Sequence, residues 1–153
     1  MTQEQSSRYD LLACVPRCLI HFCNSEGHQI TTETFCRDYE KYFTDQAENY
    51  GLLEGDNFRD VCRLLPIGEP LYYDGRYEVI LQHFTPGRKQ IFMFSKVNLQ
   101  AGETDGKKHL SIITDMTAER FSIWTPYQGK TDGPMHFERK DWELKQCLVV
   151  IFR

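Results

Sequence analysis

Ala13-Cys14-Val15-Pro16-Arg17-Cys18-Leu19-Ile20-His21-Phe22-Cys23-Asn24-Ser25-Glu26-Gly27 is the stretch on which the fold turns. Val15, Cys18, Leu19, Phe22 and Cys23 recur at helical spacing, and Asn24 to Gly27 supply the stop. Pro16 falls in the first turn, where proline is tolerated because the opening amides of a helix lack intrahelical partners. Cys14 therefore stands at the helix start. The positive end of the helix dipole favours thiolate there, and the unpaired amides can donate to an oxyanion formed by attack on an acyl carbon. The expectation is a nucleophile that ionises below the ordinary thiol value of ~8.5.

Two more helical stripes follow. Phe35, Tyr39, Tyr42 and Phe43 form one, with Thr31 or Thr32 as its cap, and Phe58, Val61, Cys62 and Leu65 form the other, capped by Asp56 and stopped by Pro66. From Glu69 onward the pattern reads as strands. Leu71 to Tyr73 and Tyr77 to Phe84 flank the hairpin dipeptide Asp74-Gly75, and Gln90 to Val97 is a further strand. Leu99 to Lys108 reads as an exposed loop. His109 to Thr114 and Arg120 to Trp124 make a second hairpin, residues 127–134 a loop, Asp141 to Gln146 a helical turn and Cys147 to Phe152 the last strand. Helices first and antiparallel strands afterwards predict an α+β domain spanning residues 1–153.

A cysteine nucleophile needs a base within hydrogen-bond reach and a group to orient that base. Of the histidines, His21 lies two turns along the same helix, His28 in the loop after it, His83 at a strand end and His136 after a Gly-Pro loop. His109 opens an apolar strand directly after a polar loop, where a cleft would lie. A turn centred on Thr117 would set His109 opposite Thr125, and opposed residues share a face. Thr125 is then the orienting residue, with Asp115 and Gln128 as alternatives should the register differ.

Asp10-Leu11-Leu12-Ala13-Cys14-Val15-Pro16-Arg17-Cys18-Leu19 resembles the nucleophile segment of papain-like cysteine peptidases, most closely the bacteriocin-leader peptidase group. Lys108-His109-Leu110-Ser111-Ile112-Ile113 is similar to that group's base segment, and Trp124-Thr125-Pro126 stands where its Asp or Asn before proline would be. The resemblance implies a papain-like fold, with N-terminal helices packed on a C-terminal antiparallel sheet. It also implies cleavage of a peptide bond through a thioester acyl-enzyme. Arg8 occupies the place of the group's oxyanion glutamine, which leaves Gln5 and Gln3 upstream as substitutes. Two other functions suit the same residues: a glutamine deamidase or transglutaminase-like effector acting on a protein side chain, and a catalytically silent papain-like module that binds protein. Tyr72, Tyr73, Tyr77, Trp124 and Tyr127 would supply the binding surface of such a module.

The charge balance, 18 Lys and Arg against 22 Asp and Glu, is interspersed, so no nucleic-acid or membrane partner is expected; a protein or peptide substrate is. No secretory signal opens Met1 to Ser7, which predicts a cytoplasmic chain or one delivered without a Sec signal peptide. The six cysteines are then reduced. Cys14-x3-Cys18-x4-Cys23 lacks the Cys-x2-Cys spacing of zinc sites, so no metal is expected, and the cysteines other than Cys14 are read as small core residues. Without a glycine-rich phosphate loop no nucleotide cofactor is expected, and without a Gly-x-Ser-x-Gly elbow no serine nucleophile. Oligomeric state leaves no mark in the sequence.

Overall fold

Helix α1 (Cys14–Ser25) forms where the apolar spacing puts it, and it is buried almost all round: Val15, Pro16, Arg17, Cys18, Leu19, Ile20, Phe22 and Cys23 are all inside. Its end is a Schellman turn. Gly27 takes a left-handed φ of 95°, its N–H returns to the Asn24 carbonyl, and the His28 N–H reaches the Cys23 carbonyl. Helix α2 (Thr32–Tyr39) is capped by Thr31, whose Oγ1 accepts from the Thr34 N–H at 3.1 Å, and it continues into the 3-10 turn Glu40–Tyr42. Helix α3 (Gly55–Leu64) buries Phe58, Val61 and Cys62; Asp56 lies inside its first turn rather than before it as a cap. The structure, a computed structural model, describes residues 12–44, 51, 53, 55–74, 76–84, 91–98, 103–126, 132–144 and 148–152.

Among the described residues, six antiparallel strands form one sheet: β1 (Pro70–Asp74), β2 (Ile91–Asn98), β3 (Glu103–Met116), β4 (Arg120–Thr125), β5 (Gly133–Glu138) and β6 (Leu148–Phe152). Their order across the sheet is β1-β6-β2-β3-β4-β5. The chain is thus α+β, as expected. Helices α4 (Tyr77–His83) and α5 (Arg139–Leu144) complete the described elements.

Three strand expectations need correction. Tyr77–His83 is helical rather than the second arm of a hairpin, and β1 pairs instead with β6. Tyr77, Ile80, Leu81 and Phe84 stand at helical spacing, which lets one face pack against the sheet; an isolated hairpin would not have buried them. Residues 103–108 are the first part of β3 rather than a loop, with Thr104 opposite Val97 and Glu103 opposite Asn98. Strand β5 replaces the end of the expected 127–134 loop. It is an edge strand, where Pro134 leaves no ladder bond unmade.

Two cores flank the sheet. Leu110 and Ile112 of β3 pack with α1, α2 and α3 through Leu19, Phe22, Phe35 and Phe58. Ile113, Met116, Phe121 and Ile123 pack with Tyr77 and Ile80 of α4 and Trp142 of α5. The alternation along β3 sets these groups on opposite faces. Helices therefore cover both sides of the sheet. The Tyr77 hydroxyl sits between the carbonyls of Thr117 and Arg120 and ties α4 to the β3–β4 turn. Among the described residues no helix is long and apolar enough to cross a membrane.

Candidate functional site

The point where α1 meets the sheet follows from the end of β4. That strand stops at Thr125, and the next residue, Pro126, has no N–H to continue the ladder. Continuing the register of Ile112 opposite Trp124 and Ile113 opposite Ile123 puts Ser111 opposite Thr125 and leaves Leu110 beyond the end of β4. The polar backbone of Leu110 is met by α1 instead. Its N–H donates to Cys14 Sγ at 3.5 Å, and its carbonyl accepts from Cys18 Sγ at 3.3 Å. Two thiols one helical turn apart thus stand in for the missing strand.

His109 immediately precedes that residue on β3, opposite Ser95 of β2. It lies in mid-strand rather than at a strand start. The ladder is nonetheless broken just before it: between the pairs Ser95–His109 and Val97–Thr104, four residues of β3 (Asp105, Gly106, Lys107, Lys108) face one of β2, Lys96. Regular pairing resumes at His109. Bulges of this kind often lie beside functional sites because they redirect the chain.

The expected pairing of His109 with Thr125 is displaced by two residues. The turn spans Thr117 to Glu119, where Thr117 Oγ1 accepts from the N–H groups of Glu119 and Arg120, and a bulge at Thr114 absorbs one further residue. A shift of two keeps the face and changes the partner. Thr125 Oγ1 accepts from Ser111 Oγ at 3.0 Å, and both side chains are fully buried. Asp115 is exposed, opposite Ser122, and six residues from His109 along β3, or about 20 Å at the strand rise. It is not an orienting group for this site. Gln5, Gln3, Arg8 and Gln128 lie outside the described residues.

The other histidines sit elsewhere. The His21 ring stacks on that of Trp124, centroids 3.8 Å apart and planes within 4°. His83 closes α4, and His136 Nδ1 lies 2.7 Å from Ser122 Oγ on the exposed part of β4 and β5.

The sequence reading missed Arg17. Its side chain is 0% exposed, and Nη1 bonds Asp132 Oδ1 at 2.9 Å, joining the first turn of α1 to the residue that precedes β5. The only available signal was a cation inside a run of residues that are otherwise apolar.

Burial dominates the thiol chemistry. It raises the Cys14 thiol above its ordinary value; the N–H groups of Leu110, Cys14 and Val15 and the Arg17 guanidinium pull in the other direction without cancelling it. The helix-start amides are therefore present as expected, but the thiol is shifted up rather than down, because the low-polarity surroundings penalise the anion more than the donors favour it. Cys18 is raised further, Cys62 is also raised, and Cys23 is pushed up to about 11. Among the described cysteines, none of them in a disulfide, Cys14 alone is not fully buried; Cys18, Cys23, Cys36 and Cys62 are core residues as expected.

These shifts set an alkaline limit. A thiol raised in the folded state contributes its full stability below the unfolded value of ~8.5 and loses it as pH climbs toward the folded value, because the unfolded chain sheds its proton first. The urea midpoint should be flat from pH 7 to 8 and fall between pH 8.5 and 11. The fall should be shallower in Cys23→Ala. A midpoint equally steep in both proteins would remove Cys23 as a source.

No protein-family model and no curated protein matches this sequence.

Proposed function

We propose that the chain is a papain-like cysteine hydrolase that cleaves a peptide bond in a protein or peptide substrate, with Cys14 as nucleophile and His109 as base. The observation that carries this reading is the contact of the Leu110 N–H with Cys14 Sγ, because the residue next in sequence to His109 then touches the sulfur. The helix-start amides and the buried Arg17 add donors and positive charge on the same side. Since burial favours the neutral thiol, His109 takes the proton as Sγ attacks the acyl carbon, rather than holding a resting ion pair. The C–N bond breaks, His109 returns the proton to the departing amine, and water then hydrolyses the thioester with His109 again as base. A glutamine side-chain amide enters the same sequence with ammonia as leaving group, which makes deamidation or transglutamination the neighbouring activity.

A silent protein-binding module is the competing reading. It is favoured by the engagement of Thr125 with Ser111 and by the raised Cys14 thiol. Alkylation by iodoacetamide from pH 4 to 9, with the modified residue located by mass spectrometry, separates the two. Cys14 should be labelled first at pH 7, with a limb below pH 7.5 that is lost in His109→Ala, leaving a rate still climbing at pH 9. Burial alone cannot produce the low limb, so a base must. If Cys14 reacts no faster than the buried thiols, or the two profiles coincide, the module reading stands.

A further inference from the structure

We propose that Cys18 is a positioning residue for this site: by donating to the Leu110 carbonyl, it holds the backbone at Leu110, whose N–H meets Cys14 Sγ. The inference rests on the reading of Cys14 as the nucleophile. Its geometry is independent of that reading. Leu110 lies just past the end of β4, and Pro126 brings no amide to bond its carbonyl. A carbonyl in such a place needs a donor from outside the sheet. Cys18 Sγ supplies one at 3.3 Å, and Cys14 Sγ receives the N–H of the same residue at 3.5 Å.

Cys14 and Cys18 are a helical turn apart, so both sulfurs point along one side of α1 toward the backbone of one residue, Cys14 to the peptide before the Leu110 Cα and Cys18 to the peptide after it. Cys18 is 0% exposed. Bulk water is therefore not at hand to replace the thiol, and burial keeps it protonated, hence a donor, throughout the neutral range. The Leu110 side chain is fixed in the helix-side core. Losing the donor loosens the Leu110–Ser111 peptide, which β2 then holds from one side only, and through the Leu110 dihedrals it shifts the N–H that favours the Cys14 anion and the backbone setting of the adjoining His109.

Cys18→Ser and Cys18→Ala test this. The two side chains are close in volume, so the packing lost with the sulfur is common to both, and the difference between them reports the donor. The readout is the pH–rate profile of Cys14 alkylation on the intact chain, with Leu110 amide hydrogen exchange as a second measurement that involves no chemistry at Cys14. Cys18→Ser should keep the wild-type limb. Cys18→Ala should move it to higher pH and slow labelling at pH 7 by about three- to tenfold, the range of one modest hydrogen bond. The Leu110 amide should exchange faster in the alanine variant than in the serine variant. Coincident profiles and equal exchange for the two variants would overturn the role of Cys18. A wild-type protein without a selective Cys14 limb would overturn the nucleophile reading as well, and the wild type alone reveals that case.

Discussion

Replacing Arg17 by methionine is expected to destabilise the fold by about 3–5 kcal/mol, the usual cost of removing one member of a buried ion pair. Arg17 is fully enclosed, and Asp132 is 12% exposed, so the carboxylate left behind would be largely out of water without the guanidinium that holds it. Against a stability of about 5–15 kcal/mol for a domain, that is a large share. For a chain of 153 residues it corresponds to a fall in Tm of roughly 6–20 °C. Charge removal on both sides has a different expectation. Arg17→Met combined with Asp132→Leu should recover most of the loss, because neither partner is then stranded. Urea denaturation of wild type, both single variants and the double variant closes the cycle. A single variant within about 1 kcal/mol of wild type, the scale of an exposed pair, would show that this pair does not tie α1 to the β4–β5 connection.

Much of this architecture was legible because hydrophobic spacing and turn chemistry agree locally. The stripe from Val15 to Cys23 and the glycine stop at Gly27 define α1, and Thr31 caps α2 by the bond its position predicts. Where two local signals disagree, the tertiary context decides. Residues 77–83 are rich in Tyr, Val and Ile and follow Asp74-Gly75, which speaks for a strand, yet the apolar positions lie on one helical face. The helix forms because that face can cover Phe121 and Trp142; the Tyr77 ring meets theirs edge-on at 6.2 and 5.4 Å. Polar residues misled in the opposite direction. Glu103 and Thr104 read as part of a solvent-loving loop, but pairing with Asn98 and Val97 extends the strand there whatever the side chains are.

The site divides in the same way. Cys14 could be singled out because its position relative to the helix start is a local property. Arg17 and Asp132 are 115 residues apart, and nothing local says that a charge within a helix will be enclosed with its counter-ion. The partner of Thr125 depended on counting residues through a turn and a bulge, and a bulge has no reliable signature in the apolar alternation. Leu110 carries its role in its backbone and could not have been found from side-chain type at all. The sequence is therefore most informative about which groups are reactive, and least about what holds them.

On the proposed mechanism, His109→Ala should slow single-turnover acylation of Cys14 by an activated nitrophenyl ester at pH 7 by about 10²–10⁴, the usual contribution of a positioned general base. Thr125→Ala should cost less than about tenfold. The contrast follows from charge and geometry. The Cys14 thiol is held neutral by burial, so the proton must leave during attack, and no other histidine of the described sheet adjoins Leu110 in sequence. Thr125 offers a neutral oxygen already accepting from Ser111, so it can do little for an imidazolium compared with a carboxylate. Nitrophenolate release under enzyme excess gives the rate, mass spectrometry fixes the acyl group on Cys14, and a thermal melt confirms that each variant is folded. Equal losses for the two variants would make Thr125 a full member of the catalytic set. A His109→Ala variant that acylates at the wild-type rate would remove His109 as the base and, with it, the assignment of the contact between α1 and β3 as an active site.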